Sequence, residues 1–224
     1  MSELPAPVSK VVLGTWSDRV QAEYATGAAA SQLALWLIQI GAPRELIVAS
    51  LRVVEEELDH AARAFEICRL AGLDRPRPVD RASLGLPRQP DAPLEHDLVR
   101  GCLRVFCLGE TYAVAVLAEM RKVCTVVPAR AVIEQLLADE VAHRSFGFEL
   151  LAWLLERDPA ARAIVDDELP RLVAELRATF GTPGGVEVGP IEAAWGVVGR
   201  PVYAAVLEQV VATELPRQLA RSSV

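Results

Sequence analysis

The chain has 224 residues, of which 52% are hydrophobic and 24% charged, with a formal net charge of -7. This length and apolar content predict one domain over residues 1–224 with a sizeable core, and they exclude general disorder. The acidic balance argues against a nucleic acid partner, because affinity for phosphates comes from clustered cations. The apolar residues are mostly Ala, Leu and Val without regular alternation, which predicts an all-α fold.

Start and stop signals predict a first pair of helices joined by a short turn. The first helix covers residues 17–40, with Ser17 as the candidate N-cap and Gly41 just past its end. The second covers residues 43–71 and is followed by Gly72, a residue suited to a left-handed C-terminal cap.

A long connection and a second pair of helices follow. Residues 73–93 contain several prolines, which excludes a regular helix, and helices are predicted at 94–123 and 128–157. About twenty extended residues span on the order of 65 Å, whereas a helix of about 29 residues is roughly 43 Å long. The connection can therefore cross the whole helix length. These lengths predict a four-helix bundle with one long crossover over residues 17–157, and further C-terminal helices over residues 159–217.

The N-terminus and the cysteines indicate where the protein works. Residues 1–5 have neither a basic start nor an apolar segment, so we expect no secretory signal. We also expect no membrane span, since polar residues interrupt each candidate before about 18 apolar residues are reached. The 4 cysteines form no CxxC pair and are predicted to be buried thiols. A cytoplasmic location is therefore expected.

Two of the 3 histidines occur in the same motif. Glu57 precedes His60 by three residues, and Glu140 precedes His143 by three. Positions i and i+3 of a helix share a face, so each motif presents one carboxylate and one imidazole in the same direction. One such motif is a weak signal, but its occurrence at two of three histidines is more frequent than chance predicts. Both motifs also fall in the second helix of a pair.

A further glutamate in each first helix lies level with a motif. Glu23 lies about 18 residues before the first turn and Glu57 about 16 after it, so both are roughly 25 Å from that turn. Glu110 and Glu140 likewise lie at similar distances before and after the link that joins the second pair of helices. The spacing predicts a duplicated helix pair with one site across its pseudo-twofold axis.

Apolar neighbours on the same helix faces indicate that these four carboxylates are buried. Buried carboxylates without partners would each cost several kcal/mol or take up a proton. Two divalent cations would balance their charge. Carboxylate and imidazole ligands from four inward helix faces suit a pair of iron ions, with manganese as the second choice and zinc a poorer one.

The residues resemble the ferritin-like di-iron carboxylate superfamily, whose pattern is Glu, Glu-x-x-His, Glu, Glu-x-x-His. The resemblance covers residues 17–157 and all six ligand positions match. It implies two iron ions, or manganese, with Glu57 and Glu140 as bridges. The implied ligands are Glu23, Glu57 and His60 for one ion and Glu110, Glu140 and His143 for the other.

The resemblance also implies support for each ligand histidine. An acidic residue precedes each motif glutamate, and in oxygen-activating members such a residue bonds the histidine of the opposite motif. We therefore expect Asp139 to bond His60 and Glu56 to bond His143. The alternative is that both are solvated acidic residues on the side of a helix. This alternative is stronger for Glu56 than for Asp139.

Departures from specialised branches of the superfamily narrow the implied function. Ala64 stands where ribonucleotide reductase small subunits carry a radical tyrosine, and the chain lacks the CxxC pair of a full rubrerythrin. The pattern looks most like small oxygen-activating enzymes, including the aldehyde-deformylating oxygenases. The expected function is O2-dependent oxidation of a small or medium apolar substrate by a monomer or homodimer, with an external electron donor. The sequence identifies the metal ligands and leaves any further catalytic residue unknown.

Two other functions and one structural question stay open. Iron handling (ferroxidase, storage or peroxide scavenging) is the first alternative, and the symmetric ligand set weighs against it. A binding or scaffold module is the second, although such a module would not need six ligands. Small residues near Glu23 either leave room for substrate or O2 or allow close helix packing; they are Thr26, Gly27, Ala30 and Ala34.

Overall fold

The computed structural model describes residues 8–75, 77–181 and 187–222, and every regular element in these ranges is helical. The prediction of an all-α fold is confirmed. The α-helices are α1 (Lys10–Gln39), α2 (Arg44–Leu70), α3 (Leu94–Cys102), α4 (Thr111–Val123), α5 (Val127–Arg157), α6 (Arg162–Phe180), α7 (Pro190–Ala194), α8 (Arg200–Gln209) and α9 (Leu215–Ser222). Short 3-10 helices lie at Arg81–Ser83 and Pro159–Ala161, and π-helical segments at Leu103–Glu110 and Val210–Glu214.

Helix α1 begins well before Ser17, so the predicted start was wrong. The cap is Ser9, whose hydroxyl accepts a hydrogen bond from the amide of Val12 at 3.4 Å. Ser17 is buried within α1, and its hydroxyl lies 3.8 Å from the sulfur of Cys68. The helix extends further because Val12 and Trp16 continue its core-facing stripe toward the N-terminus.

Helices α1 and α2 form an antiparallel pair. Gly41, with a φ of 68°, reverses the chain between them. The hydroxyl of Ser50 donates to the carbonyl oxygen of Ala30 at 3.1 Å, and a Cβ at Gly27 would lie 3.4 Å from that of Glu57. Residues later in α2 therefore contact residues earlier in α1, as expected for antiparallel helices. These contacts also show that Gly27 and Ala30 serve close helix packing.

The connection between α2 and α3 runs alongside α1. The guanidinium of Arg77 donates to the carbonyl oxygen of Gly14 at 3.1 Å and to the carboxylate of Asp18 at 2.9 Å. Further along, the amide and carbonyl of Leu86 both bond the side chain of Gln32. The connection therefore follows much of the length of α1, as its extended reach predicts.

A π-helical segment interrupts the helix Leu94–Val123, which the sequence predicts as regular. Residues Leu103–Glu110 form this segment, and Glu110 is its last residue. Each π turn contains more residues than an α turn, so the segment changes the direction in which the following side chains point. The segment therefore helps to set the direction of Glu110.

Among the described residues, Leu94–Val123 is the one helix long and apolar enough to cross a membrane, with a mean hydropathy of 1.5. In the fold, 61% of the residues in that apolar window are buried. Burial in a protein core accounts for this composition, because a core helix is apolar for the same reason as a membrane helix.

Helix α5 packs antiparallel against Leu94–Val123. The thiol of Cys102 donates to the carbonyl oxygen of Gly147 at 3.1 Å, and Arg130 donates to the carbonyl oxygen of Cys124 at 3.2 Å. The C-terminal helices cover this pair from outside. Their attachment includes a hydrogen bond from the hydroxyl of Tyr112 in α4 to the carbonyl oxygen of Tyr203 in α8, 3.2 Å long.

Candidate metal centre

Four helical elements bring acidic side chains together in the middle of the core. Each contributes one glutamate, and α2 and α5 each add a histidine three residues later. All six residues are at most 5% exposed, although glutamate is almost never fully buried unless it is paired. The cluster consists of Glu23, Glu57, His60, Glu110, Glu140 and His143, and we call it the Glu/His cluster.

The ligand atoms of the cluster form two groups. Within each group, one oxygen or nitrogen from every residue lies within 4.8 Å of the others. Glu57 and Glu140 belong to both groups, and each group contains one histidine. The groups are Glu23, Glu57, His60 and Glu140, and Glu57, Glu110, Glu140 and His143.

Several buried atoms of the cluster have no hydrogen-bond partner within the described part of the chain. They are Oε1 of Glu23, both carboxylate oxygens of Glu57 and Nδ1 of His60, although Nδ1 of His143 approaches Oε1 of Glu57 to 3.1 Å. An unsatisfied buried polar group costs about 1–3 kcal/mol, and a charged one costs more. A divalent cation bound between these atoms would satisfy them. Carboxylate oxygens with imidazole nitrogens are also a suitable donor set for such an ion, so the residues fit a bound metal.

Both histidines are held by a carboxylate on the opposite helix. Nε2 of His60 lies 3.1 Å from Oδ2 of Asp139, and Nε2 of His143 lies 2.9 Å from Oε2 of Glu56. Both contacts expected from the sequence are present. A carboxylate can only accept, so each Nε2 donates and each Nδ1 turns inward, where that of His143 lies 2.9 Å from Oε2 of Glu140. This orientation leaves Nδ1 available as a ligand atom.

The supporting carboxylates are themselves held by residues that the sequence analysis missed. Gln135 donates to Asp139 at 2.8 Å, and Arg52 donates to Glu56 at 2.8 Å. Each partner lies four residues earlier on the same helix, a spacing at which side chains meet. That spacing is a signal that could have identified both.

Replacing a supporting carboxylate tests the orientation of its histidine. We expect Asp139→Asn to weaken metal binding about 10- to 100-fold, because residues that orient a ligand histidine commonly contribute that much. Metal titration against a competing chelator measures the change. Asp59→Asn is the matched control, since Asp59 adjoins His60 in sequence but is exposed and paired with Arg63. Equal affinity of Asp139→Asn and wild type would contradict the supporting role.

The metal-free cluster retains protons at neutral pH. Burial raises the pKa of Glu23 and of Glu110 well above the ordinary 4.5. Burial alone would lower the pKa of the imidazoles, but the neighbouring carboxylates outweigh it and raise the pKa of His60 to about 9 and that of His143 to about 10. Burial would raise the pKa of Glu57, yet the two imidazoles facing it lower this pKa to about 2. The imidazolium protons of the two histidines thus take the place of cations.

Metal binding should therefore release protons. Ligands coordinate in their deprotonated forms, so a cation entering at pH 7 must displace the protons of the two imidazolium side chains, His60 and His143. We expect the apparent affinity to rise as the pH approaches 9, by about a factor of ten per pH unit for each proton displaced. Isothermal titration calorimetry in buffers of different ionisation enthalpy counts these protons. Affinity independent of pH, with no proton release, would contradict this protonation state.

A cavity of about 300 Å³ lies beside the cluster. Glu23, Glu110 and Glu140 all line it, and so does Thr26, one of the small residues near Glu23. Arg19, which the sequence analysis did not single out, also lines the cavity. Its Nη1 lies 3.6 Å from Oε1 of Glu23.

Comparison with known proteins finds no match: no family model, no curated protein and no solved structure is significantly similar to this chain. Fold and site alone therefore define the class. The chain is an all-helical protein with a buried cluster of glutamates and histidines that could hold a metal ion.

Proposed function

We propose that the protein is a di-iron oxidoreductase with a ferritin-like four-helix bundle, formed by α1, α2, Leu94–Val123 and α5. The observation that carries this proposal is the sharing of Glu57 and Glu140 by two groups of buried ligand atoms, several of which have no hydrogen-bond partner. Two cations would balance four carboxylates there. We propose iron, with manganese as the second choice, because the donor set combines carboxylate with imidazole.

Each residue of the cluster has a definite task in this proposal. Glu23 and His60 would hold one ion, Glu110 and His143 the other, and the shared glutamates both. Bound iron would supply the redox chemistry with O2 that protein side chains lack. The reaction is the oxidation of an apolar organic substrate, with electrons from an external donor in the cytoplasm.

The chain itself provides position, charge balance and exclusion of water. Asp139 and Glu56 fix the direction of the two imidazoles across the α2–α5 contact. Buried aliphatic and aromatic side chains, among them Phe106 and Leu136, keep the surrounding core apolar. The 300 Å³ cavity beside Glu23 and Glu110 offers a substrate access to the cluster.

Oxygen uptake by iron-loaded protein tests the function. The protein is loaded with Fe(II) under anaerobic conditions and then mixed with O2, with and without a chemical reductant. We expect O2 consumption that exceeds that of the same iron in buffer and that continues while reductant remains. Glu110→Ala should lose it, and the exposed Glu149→Ala should keep it. Iron-loaded wild type that consumes no O2 would refute the proposed function.

Oligomeric state separates this function from iron handling. An enzyme of this kind is expected as a monomer or homodimer, whereas iron storage needs a shell of many subunits. Size-exclusion chromatography distinguishes the two. A large shell would favour ferroxidase or storage activity instead.

A further inference from the structure

A second cavity, of about 420 Å³, lies beside the first, between α1, α4, α6 and α8. We call it the aromatic cavity, because Tyr112, Phe180 and Tyr203 line it. The ring of Phe180 lies 5.3 Å from that of Tyr112 and 5.8 Å from that of Tyr203, measured between centroids. The volume falls in the usual range for sites that bind small organic molecules.

The two cavities share part of their wall. Arg19, Ala22 and Ala113 line both of them. A molecule in the aromatic cavity therefore reaches Arg19, and on the other side of Arg19 lies Glu23 of the Glu/His cluster. This places a positive charge at the junction between the aromatic cavity and the candidate metal centre. Asp18, the one carboxylate among the described residues that line the aromatic cavity, is paired with Arg77 at 2.9 Å.

The charge of Arg19 is incompletely balanced. Its Nη1 lies 3.6 Å from Oε1 of Glu23, and within the described part of the chain no other carboxylate approaches it to 4 Å. Its Nη2 contacts the sulfur of Met120 at 4.0 Å, a weak acceptor. The side chain is only 17% exposed. Guanidinium stays protonated at any ordinary pH, so it cannot avoid the cost of burial by losing its proton.

The other arginines of the two cavities have partners of their own. Arg104 lines the first cavity and is paired with Glu175 at 2.9 Å, with 41% of its side chain exposed. Arg200 lines the aromatic cavity and donates to the carbonyl oxygen of Thr179 at 2.9 Å. A bound cation would neutralise part of the negative charge of Glu23. The positive charge of Arg19 would then have even less negative charge opposite it.

We propose that the aromatic cavity binds an organic acid whose single carboxylate pairs with Arg19 and whose apolar body packs against Tyr112, Phe180 and Tyr203. Guanidinium and carboxylate match in charge and in planar geometry. A singly charged group also suits one arginine beside four carboxylates better than a doubly charged phosphate would. As a statement about substrate this rests on the proposed function, and it places the carboxylate end of the acid nearest to the Glu/His cluster.

Binding of matched acids and amides tests this inference without an activity measurement. Phenylacetate and octanoate, with phenylacetamide and octanamide as uncharged analogues, are titrated by calorimetry into metal-loaded protein. We expect the acids to bind at least about tenfold more tightly than the amides. Arg19→Gln should bind the acids about ten- to hundredfold more weakly and the amides unchanged, because a charge-assisted hydrogen bond is lost.

Matched variants locate the site. Arg177→Gln, which removes an exposed arginine of α6 that lines neither cavity and is paired with Glu208 at 2.6 Å, should bind the acids as wild type does. Ala113→Leu places a larger side chain in the wall that the two cavities share, so it should weaken the binding of acids and amides alike. Thermal unfolding and metal content are measured on every variant, so that a misfolded protein is recognised. Lys is the second substitution at position 19: Arg19→Lys keeps the charge and should bind the acids more tightly than Arg19→Gln.

Several outcomes would overturn the inference. They are equal binding of acids and amides, no binding of either acid, undiminished acid binding by Arg19→Gln, and an equal loss of acid binding in Arg177→Gln. The same titrations are run on metal-free protein. Acid binding that depends on Arg19 in a protein unable to hold metal would support this inference and refute the proposed function, and metal-dependent O2 uptake without acid binding would do the reverse.

Discussion

Glu140→Ala should abolish metal binding at both halves of the Glu/His cluster. Glu140 contributes to both groups of ligand atoms and is 1% exposed, so its removal takes a buried carboxylate ligand from both halves at once. Its removal also takes away the acceptor 2.9 Å from Nδ1 of His143. We expect metal content, measured by mass spectrometry of the metal after gel filtration, to fall close to zero.

The same substitution should remove the stabilisation that metal gives to the fold. A ligand present at about 100 times its Kd stabilises the native state by roughly 2.7 kcal/mol. For a chain of this size that corresponds to about 5–10 °C in Tm. Wild type should therefore melt at higher temperature when metal is added, whereas Glu140→Ala should melt at the same temperature with and without it.

A control on the same helix separates loss of a ligand from loss of a charge. Glu149→Ala removes an equally acidic residue from α5, but one that is exposed. Its metal content and its response to added metal should equal those of wild type. Full metal occupancy in Glu140→Ala would show that the cluster is not the metal site.

The helical class and the meeting of the six residues follow from local sequence patterns. A spacing of three residues on a helix fixes that Glu57 and His60 share a face, whatever the rest of the fold does. Turn residues such as Gly41 set how far each glutamate lies from the nearest chain reversal. These two facts suffice to bring Glu23 level with Glu57.

Other parts of the site depend on contacts that are distant in sequence. The π-helical segment that ends at Glu110 results from a change in backbone hydrogen bonding. The residues Leu103–Glu110 show no sequence pattern that predicts this change. The position of Arg19 between two cavities depends on the packing of α8 against α4 and α6, which encloses the aromatic cavity beside α1. The predicted start of α1 was wrong because serine is a common N-cap residue, which made Ser17 a candidate. In the structure Trp16 is buried in the core, and the helix extends from Ser17 toward the N-terminus.

Gly147→Ala should destabilise the protein by about 3 kcal/mol, near the upper end of what overpacking of a core costs. A Cβ at this position would lie 2.3 Å from Cβ of Phe106 and 3.0 Å from its backbone carbonyl carbon. Neither atom is the end of a flexible side chain, so the helices themselves must separate. Urea unfolding monitored by circular dichroism measures the change in the free energy of unfolding.

Gly14→Ala is the matched control, because the same substitution in α1 meets nothing within 4 Å. It should stabilise the protein by about 0.5–1 kcal/mol, the ordinary gain of alanine over glycine within a helix. Opposite signs for the two variants would assign the effect to the close approach of Gly147 and Phe106. A stabilised Gly147→Ala would show that the two helices are not in close contact at this point.

The close contact at Gly147 also bears on the metal centre. Gly147 lies one turn after His143 on α5, and Phe106 lies one turn before Glu110. Separation of the two helices at this point would therefore move Glu110 away from the ligand atoms of α5. We expect Gly147→Ala to bind metal more weakly than Gly14→Ala even where both remain folded, because the glycine brings the π-helical segment close enough for Glu110 to complete its group.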